Sequence, residues 1–216
     1  MSTATIRERP IIFGAPMVRA LLEGRKTQTR RVVKPEIPEP YASDDTATVN
    51  QSGRATWHHD YEFDRFCWRD CPFGAPETRL WVRETWGVCN AVDHVAPSDL
   101  RDDLPVVYRA SSVHPDDPST LWRSPIHMPR WASRITLEIT GVRVERLQSI
   151  SEADAYAEGV TIRDAWRIGT SGRNPELRNE ARCEFRDLWH TIHKADGPHG
   201  WEANPWLWVL EFRRVD

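Results

Sequence analysis

Residues 24 to 31 read GRKTQTRR, which sets four cations and two threonines side by side. A threonine hydroxyl is a weak nucleophile at neutral pH and needs a base within hydrogen-bond reach. Lys26 would serve Thr29 as that base when neutral, and crowding by Arg25, Arg30 and Arg31 would lower its pKa because like charges disfavour the protonated form. One of the arginines would then stabilise the oxyanion of an acyl-transfer intermediate. The plainer reading is a surface strand whose cations follow a helix C-terminus and complement its dipole. Both readings use the same residues, so the elements that position them have to decide.

A second candidate is Glu158, at the end of SEADAYAEGV (151 to 160) and directly before Gly159. A carboxylate in the last turn of a helix faces the negative end of the dipole, and this placement raises its pKa. A raised pKa suits a general acid that protonates a leaving amine. A solvated surface glutamate is the simple alternative. In LWVRETW (80 to 86), Glu84 is a candidate partner for the basic cluster. In PIHMPRW (125 to 131), Arg130 and Trp131 could rim a pocket, one contacting phosphate and the other stacking a base. Cys67 and Cys71, with His58 and His59 upstream, have a loose C-x3-C spacing for zinc, and no metal or other cofactor is expected.

Helix and strand signals surround these residues. APMVRALLEG (15 to 24) predicts a helix, with Pro16 in its first turn and Gly24 as its stop. KTQTRRVV (26 to 33) is β-branched and alternating, so it is expected to be extended. Residues 34 to 56 are rich in Pro, Asp, Ser and Thr and read as a long loop. ASRITLEITGVRVERL (132 to 147) carries the clearest strand signal, with Ile135, Leu137 and Ile139 on one face and Gly141 as a bulge or turn. The stretch 151 to 159 predicts a short helix capped by Ser151. Residues 176 to 193 predict an amphipathic helix with Leu177, Ala181, Phe185, Leu188 and Ile192 on its apolar side, and His190 and His193 can share a face of it. WLWVLEF (206 to 212) is a closing strand.

Short strands with few helices and no βαβ rhythm favour an α+β fold, a small β-barrel or curved sheet with flanking helices. At 216 residues the chain suits one domain, 1–216, with insertions near 35–66, 90–120 and 162–176. The net charge of −3 gives no global field for nucleic acid, so any such role needs a local basic patch. No apolar run approaches a membrane span, MSTATIRERP has no signal core, and four cysteines are few for a disulfide scaffold, so a cytoplasmic protein is expected. Eleven tryptophans are expected to be mostly core.

EGRKTQTRR resembles the G-x-K-T-x-T-x-R signature of the ASCH domain, a PUA-like β-barrel. SEADAYAEGV looks like that family's second motif, a short helix ending in a functional glutamate, and WLWVLEF is similar to its last barrel strand. APMVRALLEGRKTQTRR, LWVRETW, IHMPRWASRITLEI and NPWLWVLEF resemble its phage-associated branch. The resemblance implies an amidohydrolase that removes the acyl group from an N4-acylated cytidine. Lys26 would be proton acceptor, Thr29 nucleophile, Glu158 proton donor, and Arg31 the residue that orients substrate or holds the oxyanion. It also implies two alternatives, an RNA-binding module without amidase activity and a ribonuclease. PET (76 to 78) departs from the family's Gly-Asp turn, and the chain is about twice the size of the compact amidohydrolases, so substrate identity is less constrained than the trio.

Overall fold

The computed structural model describes residues 7–38, 41, 47–60, 65–88, 92, 94–113, 121–161 and 180–215. Along the chain lie strands β1 (Glu8–Ile12), β2 (Gln28–Val32), β3 (Ala47–Val49), β4 (Arg54–Asp60), β5 (Arg65–Asp70), β6 (Arg79–Arg83), β7 (Trp86–Gly87), β8 (Val107–Tyr108), β9 (Thr136–Arg146) and β10 (Trp206–Val215). The helices are α1 (Ala15–Leu22), α2 (Glu152–Ala157) and α3 (Glu180–Ile192). This is a mixed α+β fold, mostly sheet, and among the described residues the strand pairings close no barrel. No helix among them is long and apolar enough to cross a membrane. The insertion expected at 162–176 lies outside the described residues, as does Leu177.

The chain divides into two compact units, each built from distant segments. The first comprises Met1–Gly24, Glu77–Glu138 and Arg213–Asp216. In it β1 runs parallel to β6, and β6 pairs antiparallel with the start of β9, Leu80 opposite Leu137. Trp86, Val88, Leu100, Met128 and Ala132 form an apolar cluster there.

The second unit, Arg25–Pro76 and Ile139–Phe212, holds the basic segment. Its strand order is β9-β10-β2, with β10 antiparallel to β2 and Leu210 opposite Thr29. Gly141 makes no turn, because β9 continues through it. A Cβ at Gly141 would meet Glu211 Oε2, the end of a flexible side chain, at 2.8 Å. Leu147, Ile150, Ala155, Phe185, Trp189 and Trp201 are among the residues that pack α2 and α3 together.

Two expectations need correction here. The segment 34 to 56 is not all loop, because β3 and the start of β4 lie in it and pair antiparallel, in a sheet that β5 completes. Ala55 and Trp57 are buried and alternate with Thr56 and His58, a period-two signal that the polar composition around it obscured. On α3, Trp189 and Glu184 are buried while Ile192 is 54% exposed, so the buried stripe is rotated from the expected one. Trp189 stays inside because its indole N–H donates to the His199 carbonyl at 2.8 Å, which lets a large ring with one polar atom be buried. Among the described residues seven tryptophans are buried, at 57, 81, 86, 189, 201, 206 and 208, while Trp68 is 47% exposed.

Candidate functional site

The basic segment is fixed to the end of α2 residue by residue. Ser151 caps α2 reciprocally: its hydroxyl accepts from the Asp154 N–H, and Asp154 accepts from the Ser151 N–H. The helix stops at Ala157, and Gly159, at φ +92°, turns the chain away. Three successive carbonyls are thereby left without helical partners, and residues 25 to 27 supply them in order. Arg25 Nη1 donates to Gly159 O at 2.6 Å, Lys26 Nζ to Glu158 O at 2.9 Å, and the Thr27 N–H to Ala157 O at 2.8 Å. The cations do complement a helix dipole, that of α2.

At this junction Lys26 Nζ also donates to Glu158 Oε2 at 2.6 Å. Both side chains are inside the protein, 0% and 4% exposed. Burial pushes the Lys26 ammonium below its ordinary pKa, against the pull of Glu158, and Arg31 and Arg30 add a smaller push the same way. Desolvation therefore outranks the crowding of like charges as the cause.

The other oxygen of Glu158 accepts from Arg30 Nη1 at 3.2 Å. Arg30 Nη2 lies 3.0 Å from Glu145 Oε2 and 3.3 Å from Asp154 Oδ2, and the guanidinium stands 5.8 Å from the Phe185 ring centroid. Asp154 also accepts from Gln28 Nε2 at 2.9 Å and from Arg143 Nη2 at 2.8 Å, and Arg143 reaches Glu145 and Glu211 as well. Burial raises the Asp154 pKa, but hydrogen bonds from Ser151 and Gln28 and the charges of Arg30 and Arg143 outweigh it and hold the carboxyl at about 2. The cations of this network are matched by carboxylates, so the net field at the site is small.

Thr29 is buried in the middle of β2. Gln28 and Arg30 both reach Asp154, so strand alternation puts Thr29 and Arg31 on the opposite face of β2. Burial lowers the Arg31 pKa while the charge of Glu158 opposes the shift. The structure thus brings Lys26 and Glu158 into direct contact and Arg25 onto the neighbouring Gly159 carbonyl, with Thr29 and Arg31 three and five residues beyond Lys26 on the same segment.

Of the remaining candidates, Glu84, Arg130 and Trp131 belong to the first unit and Cys67 to the second. Glu84 pairs with Arg134: its two oxygens accept from Nε and Nη2, each at 2.9 Å. Arg130 donates to both oxygens of Glu8, at 2.8 and 3.1 Å, and Trp131 stands edge-on to Trp86 at 6.3 Å. Cys67 pairs in register with Trp57, and burial pushes its thiol up. No three metal-ligating side chains gather among the described residues.

Sequence reasoning missed Arg30, Gln28, Glu145, Arg143 and Asp154 as a network. Part of the signal was present, since Asp154 is the acidic third residue after the Ser151 cap and Gln28 and Arg30 alternate along one strand. That Arg143 and Glu145 of β9 meet them depends on strand order, which spacing does not encode. No family model, curated protein or solved structure matches the chain.

Proposed function

We propose that this protein is a metal-independent amidohydrolase on a PUA-like scaffold of the ASCH kind, removing an acyl group from an N4-acylated cytidine or a related modified pyrimidine. The observation that carries the reading is the buried Lys26–Glu158 pair, Nζ to Oε2 at 2.6 Å, with the lysine pKa lowered by burial. Such a pair supplies an acid and a base from one proton. Shifting it from Nζ to the carboxylate leaves a neutral amine beside a neutral carboxylic acid. For Thr29 to be the nucleophile its hydroxyl must reach Nζ from the opposite face of β2; Lys26 would then take its proton as Oγ1 attacks the acyl carbon, with the oxyanion held by Arg31. Glu158 gives its proton to the departing exocyclic amine as the C–N bond breaks. Lys26 is left as ammonium and Glu158 as carboxylate, and water hydrolyses the acyl-threonine. A variant has Lys26 activate water directly.

The RNA-binding alternative would aim the same cations at phosphates. Against it, Lys26 and Arg30 are buried and already paired with Glu158, Glu145 and Asp154. The test is release of cytidine from N4-acetylcytidine by the purified protein and by Lys26→Ala, Thr29→Ala and Glu158→Ala. Turnover lost in all three variants is expected. Turnover that survives in Thr29→Ala alone would select the water variant, and a folded wild type inert toward N4-acylated pyrimidines would reject the proposal.

A further inference from the structure

Lys26 and Glu158 are enclosed, with side chains 0% and 4% exposed, and the Arg30 side chain beside them is 0% exposed. A general acid or base has to come within about 3 Å of the proton it moves, so no substrate meets this pair in the closed form. Glu158 is itself the C-cap residue of α2, and residues 25 to 27 bond to the carbonyls of that turn in order. Access therefore turns on how firmly each end of α2 is held.

The N-terminal half is held from three sides. Asp154 accepts from Gln28 on β2 and from Arg143 on β9. Ala155 is buried in the apolar cluster with Phe185 and Trp189. Glu152 accepts from the Ala181 and Arg182 N–H groups in the first turn of α3, at 2.8 and 3.2 Å. The C-terminal turn is held differently. Its outer hydrogen bonds, from Arg25 to Gly159 O and from the Thr27 N–H to Ala157 O, come from exposed residues, where water can take over from either donor at small net cost. Val160 packs against the apolar cluster but is only partly buried. Gly159, at φ +92°, enters and leaves the left-handed region without the penalty that a side chain would bring. Exposed backbone hydrogen bonds and little buried apolar surface mark the segments that open locally at low free energy.

We propose that residues 157 to 160 form a lid, hinged at Gly159 and latched by Arg25, which opens to admit the substrate and closes over it. The inference rests on the amidohydrolase reading. Opening exchanges the two outer hydrogen bonds for water and uncovers Glu158, while the bonds from Gln28 to Asp154 keep the rest of α2 on β2. Closing returns the carboxylate to Lys26 and Arg30 around the bound substrate. Arg25 sets how often the site opens and does not touch the substrate.

Amide hydrogen exchange of the full chain, followed by NMR, reads the opening, because the Thr27 N–H is one of the lid's donors. It is expected to exchange at least about tenfold faster than the Val209 and Leu210 amides in the middle of β10, and about tenfold faster again in Arg25→Ala. Arg25→Lys, which can donate to the same carbonyl, is expected to restore most of the protection. Binding kinetics with cytidine, the product of the proposed reaction, give the second readout. A latch holds the free and the occupied closed forms alike, so Arg25→Ala is expected to raise the association and dissociation rate constants about tenfold each and to leave Kd unchanged. Thr27 exchange that matches β10 and does not respond at Arg25 overturns the lid. So does a raised Kd with unchanged exchange in Arg25→Ala, which makes Arg25 a substrate contact. Faster exchange in Arg25→Ala with no cytidine binding in either protein keeps the opening and overturns the amidohydrolase reading.

Discussion

Two buried glutamates, one in each unit, take opposite roles because of the cation each one meets. Glu84 gives both oxygens to the single fork of Arg134, at 2.9 and 2.9 Å, and the Tyr108 ring lies 3.9 Å from that guanidinium. Arginine keeps its proton at any accessible pH, so this carboxylate is a clamp. Glu158 splits its oxygens between Arg30 and Lys26. Lysine can lose its proton when desolvated, and Lys26 has a fully buried side chain. A buried carboxylate alone is therefore a poor sign of catalysis, and a buried carboxylate facing a buried lysine is a better one.

The largest expected effect tests that contrast at the cation. Lys26→Ala should lower turnover of N4-acetylcytidine by about a thousandfold, within the range for losing a general base. Lys26→Arg keeps the charge and a donor for Glu158 but cannot give up a proton, so it should be as inactive as alanine. Near wild-type turnover in Lys26→Arg would mean that Glu158 and Lys26 are a second clamp.

Next comes the clamp itself. Glu84→Ala leaves Arg134 uncompensated and should cost about 3 kcal/mol of stability, measured by denaturant unfolding, as is usual when one partner of a buried pair is removed. Turnover per folded molecule should not change. A kinetic defect in folded Glu84→Ala would bring Glu84 back as a site residue.

A smaller effect is expected when the Lys26–Glu158 pair is replaced whole. Lys26→Met with Glu158→Leu removes both charges at nearly constant volume, and apolar substitutes for buried ion pairs are often neutral or stabilising. The double variant should fold within about 1 kcal/mol of wild type with no turnover. Marked destabilisation would show that the hydrogen bond from Lys26 to the α2 carbonyl matters more to the fold than to the chemistry.

How much of this was legible in the sequence depended on how local each signal was. α1 and α2 were readable because Pro16, Ser151 and Gly159 act within one turn of themselves. Thr29, Lys26 and Glu158 were readable as types, through the resemblance and through the chemistry such side chains can do. What stayed hidden was pairing: that Arg25, Lys26 and Thr27 would cap carbonyls more than a hundred residues away, or that Glu84 would belong to Arg134. The sheet of β3 to β5 was missed because Ala55 and Trp57, both buried, are set in a seven-residue strand otherwise made of polar side chains. Of the bulge or turn expected at Gly141, the turn is absent because β9 runs on through it.

The smallest effect concerns Asp154, which supports the lysine side of the comparison from the far side of Arg30. Its carboxyl is held at about 2 in the folded protein, below its ordinary 3.8. A depressed carboxylate pKa adds stability that is complete above the unfolded value and is lost as pH falls through the folded one. The wild type should therefore lose stability between about pH 4 and pH 2 from this group, and Asp154→Asn should flatten the stability profile in that window. The same change loosens Arg30, which shares its donors between Asp154, Glu145 and Glu158. Turnover in Asp154→Asn should fall only several-fold, because Lys26 and Glu158 keep their own hydrogen bond. A loss as large as that of Lys26→Ala would place the proton-moving unit in the whole Arg30 network and not in the pair. An unchanged acid profile would mean that Gln28, Arg143 and Ser151 hold the carboxyl no better than water does.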